Sequence, residues 1–109
     1  MRIRGRVVVV TGASSGIGRA TALAFAEHKA GAVVLAARRE DALEDLAREV
    51  RKAGARTMVV PVDVTDEAAV RELADRAVEE FGRVDVWVND AAVAVYGSVE
   101  ELPLQDVRR

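Results

Sequence analysis

The chain has 109 residues, half of them apolar and 31% charged, which is the profile of one globular unit rather than of a disordered or fibrous chain. Its 16 basic and 18 acidic residues are interspersed and sum to −2, so the basic stripe that nucleic-acid binders carry is absent. Cysteine is missing, and the single histidine, His28, falls in a helical pattern as a solvated residue, so disulfides are excluded and no metal is implied.

The opening Met1–Arg6, followed by Val7–Val10, has the basic-then-apolar order of a leader, but a run of four valines is too short for one. No stretch approaches the roughly 18 apolar residues of a membrane span, and the expected location is the cytoplasm. Four β-branched runs read as strands in chain order: Val7–Thr11, Ala32–Ala37, Thr57–Val62 and Val84–Val88. The first three are nearly continuous in apolar residues, as parallel strands covered on both faces require.

Helical patterns separate the runs. Leu43, Leu46, Ala47 and Val50 recur at i, i+3, i+4 and i+7, and Val70, Leu73, Ala74, Ala77, Val78 and Phe81 extend such a stripe over three turns. Gly31, Gly54 and Gly82 follow the three patterns, where a left-handed residue closes a helix. Thr65 is the predicted cap of the third helix, with Asp66 and Glu67 in its first turn. The alternation βαβαβαβ, joined by right-handed crossovers, predicts a doubly wound parallel sheet of about four strands with helices on both faces, in one domain over residues 1–109. A further helix is expected to start in Glu101–Arg109, with Pro103 in its first turn.

Chemistry enters directly after the first run. Thr11-Gly12-Ala13-Ser14-Ser15-Gly16-Ile17-Gly18 spaces three glycines between a strand and a helix. Gly12 serves the sharp turn, Gly16 the close approach of a pyrophosphate, and Gly18 the packing of helix on strand. An anion then sits on the helix N-terminus, where free N–H groups and the dipole favour it. No Gly-Lys-Ser/Thr closes the loop, so phosphoryl transfer is disfavoured.

These residues resemble a family signature. Thr11–Gly18 is similar to the TGxxxGxG motif of the short-chain dehydrogenase/reductase family, which has a Rossmann-type fold. Asp63, in Val62-Asp63-Val64-Thr65-Asp66, resembles that family's adenine-contacting aspartate, and Asn89-Asp90-Ala91-Ala92 resembles its NNAG motif. The resemblance covers the family's N-terminal half. It implies a cofactor set of Gly12, Ser14, Ser15, Gly16, Ile17, Gly18, Arg38, Arg39, Asp63, Val64, Asn89 and Ala91. Asp90 and Ala92 depart from the motif: one adds a negative charge and the other a methyl group where glycine permits special backbone angles.

The end of the second run bears on which dinucleotide is expected, unless Arg38 and Arg39 simply open a solvated helix with Glu40 and Asp41. NAD-preferring members of the fold place a carboxylate there to accept from the ribose hydroxyls. This chain has Ala37, followed by Arg38 and Arg39. A guanidinium fork suits a 2′-phosphate, and one charge-assisted hydrogen bond is worth about 1.5–3 kcal/mol, so NADP(H) is expected over NAD(H) by about tenfold to a hundredfold.

The family's catalytic tyrosine, lysine and serine have no counterparts here. The only tyrosine, Tyr96, has Glu100 four residues on, where the resemblance asks for a lysine, and a carboxylate raises a tyrosine's pKa. The expectation is therefore the cofactor-binding portion of an oxidoreductase acting on an alcohol or carbonyl, without catalytic residues in this chain. In the strand order 3-2-1-4 the fourth run is an exposed apolar edge, which predicts self-association or pairing with a missing C-terminal half. A non-catalytic nucleotide-binding or self-assembling half-domain is the alternative.

Overall fold

A computed structural model describes residues 2–89 and 94–96. Its elements are β1 (Val7–Thr11), α1 (Gly16–Glu27), β2 (Ala32–Ala37), α2 (Glu40–Lys52), β3 (Arg56–Pro61), α3 (Glu67–Phe81), β4 (Val86–Asn89) and β5 (Ala94–Tyr96). They build one sheet in the order β3-β2-β1-β4-β5. The first four strands are mutually parallel, with Thr11 of β1 facing Ala36 of β2 on one side and Asn89 of β4 on the other. The doubly wound α/β architecture read from the sequence is the one observed.

Alternation along the strands divides the core into two layers. Val8, Val10, Val33, Leu35, Val86 and Val88 pack with Ala22 and Ala26 of α1 and with Leu43, Leu46, Ala47 and Val50 of α2. Val9, Val34, Ala36, Val60 and Trp87 pack on the opposite side with Val70, Leu73 and Ala77 of α3. Each buried Leu or Val contributes about 1.5–3 kcal/mol relative to exposure, so the two apolar stripes anchor their helices to the sheet. The α3 stripe is narrower than its sequence pattern implied. Val78 is 46% exposed, while Ala74 and Phe81 are only partly covered.

Several boundaries and roles differ from expectation. β3 and β4 are displaced by one or two residues from the apolar runs, although Val62 and Val84 remain buried. Gly54 and Gly82 take the left-handed backbone, with φ of 104° and 86°, but after α1 that conformation belongs to Lys29, at 71°. Gly31 is required for a different reason: a Cβ there would lie 2.9 Å from the Gly5 carbonyl oxygen. Asp66, not Thr65, caps α3. Its carboxylate accepts from the N–H groups of Ala68 and Ala69, whereas the Thr65 hydroxyl is already donated to Asp63.

The largest correction concerns the sheet edge. β5 runs antiparallel to β4, pairing Trp87 with Tyr96, Val88 with Val95 and Asn89 with Ala94. The edge of β4 is thus occupied from within the chain, and the expected exposed fourth strand, offered for self-association or for a missing half, is overturned. A segment only a few residues away closes a short loop at small entropic cost, an advantage no second molecule has. The predicted helix in Glu101–Arg109 lies outside the described residues.

At the amino ends of the strands, Asp85 ties β4 to β1. It accepts from the Val7 N–H at 2.9 Å and from Arg83 Nε at 2.7 Å, and it pairs with Arg6 at 3.5 Å. Burial pushes its carboxyl up, but the Val7 N–H and the two arginines outweigh that effect and hold it below the ordinary value of 3.8.

Candidate dinucleotide site

The parallel sheet brings the carboxyl ends of β1, β2, β3 and β4 to one edge, and the described residues of the predicted set lie at those strand ends, in the loops that leave them or in the first turn of α1. The path runs from β1 through α1 to β2 on one side, then returns from β3 through α3 to β4 on the other. The connections therefore diverge at the boundary between β1 and β4. In open α/β sheets such a switch point opens the crevice in which ligands bind.

The loop after β1 turns through Gly12, whose φ of 70° is left-handed. The Ser15 N–H and hydroxyl both donate to the Gly12 carbonyl, at 3.1 and 2.9 Å, and the Ser15 Oγ accepts from the Gly18 N–H at 3.0 Å. Ser15 is thereby the N-cap of α1, a structural task that the cofactor reading of this residue had not included. Gly18 lies against the turn: a Cβ there would fall 2.1 Å from the Gly12 oxygen. A Cβ on Gly16 would meet nothing within 4 Å, so the chain itself places no steric demand on that glycine.

Electrostatics single out this helix end. α1 has no acidic residue in its first turn, whereas α2 begins with Glu40 and Asp41 and α3 with Glu67. Gly16 and Ile17 are its first two residues, whose N–H groups have no acceptor within a helix. Ser14, Ser15, Gly16 and Ile17 are all exposed, Ile17 at 61%. Open space at Gly16, unneutralised helix polarity and an apolar side chain turned to solvent together fit a ligand that is anionic in one part and flat and apolar in another. A dinucleotide has both parts.

At the end of β2, Ala37 is buried and Arg38 is exposed. Arg39 pairs with Asp41, Nη2 to Oδ2, at 3.3 Å. Arg38 has no ion pair at that range among the described residues, though its charge acts on Asp63. Asp63 follows β3. The Thr65 hydroxyl and N–H donate to its Oδ1 at 2.7 and 2.9 Å and, with a smaller contribution from Arg38, hold the carboxyl below its ordinary value against the opposing effect of burial. Val64 beside it is exposed.

β4 delivers Asn89 to the same edge, opposite Thr11. The buried Thr11 hydroxyl lies 3.3 Å from the Val88 carbonyl oxygen and 3.4 Å from Asn89 Oδ1. Thr11 is a buried polar residue at this end of the sheet that the sequence reading passed over. A hydroxyl at the end of an all-valine strand was the available signal. Ala91, together with the Asp90 and Ala92 departures, lies outside the described residues.

Comparisons with known proteins identify the family and match the fold. The short chain dehydrogenase family matches residues 6–109, and the chain belongs to that family. It is 51% identical over 89 residues to the cis-4-hydroxycyclohexanecarboxylate dehydrogenase of Sinomonas cyclohexanicum, covering 82% of this chain and 35% of that protein. A short chain dehydrogenase/reductase from Burkholderia phymatum, solved in complex with NAD, superposes with a TM-score of 0.75 at 41% identity, over 80% of this chain and 31% of the other. A dehydrogenase from Burkholderia cenocepacia with bound NADP gives 0.76 at 32% identity, over 81% and 34%. The chain spans 30% to 44% of the length of the curated relatives it matches. Among the described residues no helix is long and apolar enough to cross a membrane.

Proposed function

We propose that this chain is the NADP(H)-binding portion of a cytoplasmic oxidoreductase that transfers a hydride between the nicotinamide and an alcohol or carbonyl substrate. The observation that carries the reading is the meeting, at one sheet edge, of an α1 N-terminus free of acidic residues and an exposed Arg38 that follows an alanine where NAD-preferring members place a carboxylate. Bound there, the cofactor supplies or accepts the hydride.

The chain's own residues bind and orient. The N–H groups of Gly16 and Ile17 hold the diphosphate, with Gly12 and Gly18 setting the turn and Ser14 and Ser15 lining it. Arg38, with Arg39 beside it, holds the 2′-phosphate. Asp63 and Val64 flank the adenine, and Asn89, the last residue of β4, completes the set with Ala91, two positions on in the sequence. Kinship with a dehydrogenase named for a hydroxy acid supports an alcohol or carbonyl as substrate class. No catalytic role is assigned to Tyr96, because Glu100 stands where a lysine would be needed to lower its pKa.

Titrating the purified chain with NADPH and with NADH, by heat release or cofactor fluorescence, tests the reading. Saturable binding that favours NADPH by about tenfold or more is expected from one charge-assisted contact. Absence of binding, or tighter binding of NADH, would refute it.

A further inference from the structure

The two arginines after β2 are adjacent in sequence but differently engaged. Arg39 donates from Nη2 to Asp41 Oδ2 at 3.3 Å, and the same carboxylate accepts the Ala42 N–H through Oδ1 at 3.0 Å. Asp41 is thus held by one oxygen to the first turn of α2 and holds Arg39 with the other. Arg38 makes no such pair among the described residues.

We propose that Asp41 is a specificity-determining residue of the coenzyme site: by holding Arg39 it withdraws one of two guanidinium groups and leaves the 2′-phosphate to Arg38. This rests on the dinucleotide reading above. Holding Arg39 in this way moderates the preference for NADP(H). The Arg39 and Asp41 side chains are 77% and 74% exposed, so solvent screens their pair, and freeing Arg39 is worth about twofold to fivefold in affinity.

The test measures dissociation constants for NADPH and NADH in wild type, Asp41→Asn, Arg39→Ala and the double variant. Asparagine keeps an acceptor for the Ala42 N–H while removing the charge. Asp41→Asn is expected to tighten NADPH about twofold to fivefold and leave NADH nearly unchanged, with the gain absent when Arg39 is alanine. Unchanged NADPH affinity, equal tightening of both coenzymes, or a gain that persists without Arg39 would each overturn the role. Arg38→Ala separates the two levels of failure. If it lowers the NADPH preference while Asp41→Asn changes nothing, the role of Asp41 alone falls. If neither substitution alters the ratio, the coenzyme reading falls and takes this inference with it.

Discussion

The two ends of the sheet use similar residues to opposite effect. At the amino ends, Asp85, Arg83 and Arg6 satisfy one another and the Val7 N–H, and Gly31 presses its backbone against Gly5. At the carboxyl ends, Gly16 faces open space, Arg38 is exposed, and α1 begins without an acid to neutralise its dipole. Polar groups closed on one another stabilise the fold. Polar groups left facing solvent lie at the switch point between β1 and β4, the place where open α/β sheets bind ligands.

Substitutions at matched positions can break or sharpen that contrast. The largest effect is expected at Gly18. A methyl there meets the Gly12 carbonyl at 2.1 Å, so Gly18→Ala should cost about 2–3 kcal/mol in urea unfolding and abolish coenzyme binding. Gly16→Ala, two residues away, adds its methyl to open space. It should leave stability within about 0.5 kcal/mol and weaken NADPH by about tenfold, roughly 1.4 kcal/mol. If both glycines behaved alike, the division between packing and ligand approach within this loop would be wrong.

Next in size is Arg38→Ala, expected to lower the NADPH-to-NADH affinity ratio by about tenfold to a hundredfold without shifting the melting temperature. An unchanged ratio would remove the assignment of the 2′-phosphate. The last effect belongs to the opposite end and is read in stability alone. Asp85→Asn should cost about 1–2 kcal/mol, at the low end for a charged hydrogen bond because its arginine partners are about half exposed, and should leave coenzyme affinity intact.

That loss carries a pH signature. The Asp85 carboxyl is held below 3.8 in the folded chain, so its contribution is fully present above the ordinary carboxylate range and disappears as pH falls through the folded-state value. Stability curves of wild type and Asp85→Asn should therefore converge as pH drops below about 3.8. A constant gap down to pH 2 would assign the effect to shape rather than charge.

Much of this was legible locally. Four β-branched runs, two clear apolar stripes and a glycine-punctuated turn depend on residues close in sequence, and they predicted the parallel doubly wound sheet and the loop after β1. Gly12 could be assigned to the turn because a left-handed backbone is a property of a single residue. The substitution of Ala37 and Arg38 for an acidic strand end was equally readable.

The remainder depended on contacts between distant segments. Gly31 reads as a helix stop, yet its need for glycine comes from Gly5, and the left-handed position falls to Lys29. Thr11 reads as strand, yet its hydroxyl meets the end of β4. Val78 belongs to the α3 stripe by periodicity, but the sheet beneath does not reach it. β5 is three residues long, too short to announce itself, and its pairing decided that β4 is not an edge. Sequence by itself determined the four parallel strands, the helices between them and the glycine turn after β1, because backbone sterics and side-chain periodicity act within a few residues. Tertiary structure alone decided which polar groups are closed on one another and which remain open, because hydrogen-bond satisfaction depends on what the fold brings within about 3 Å.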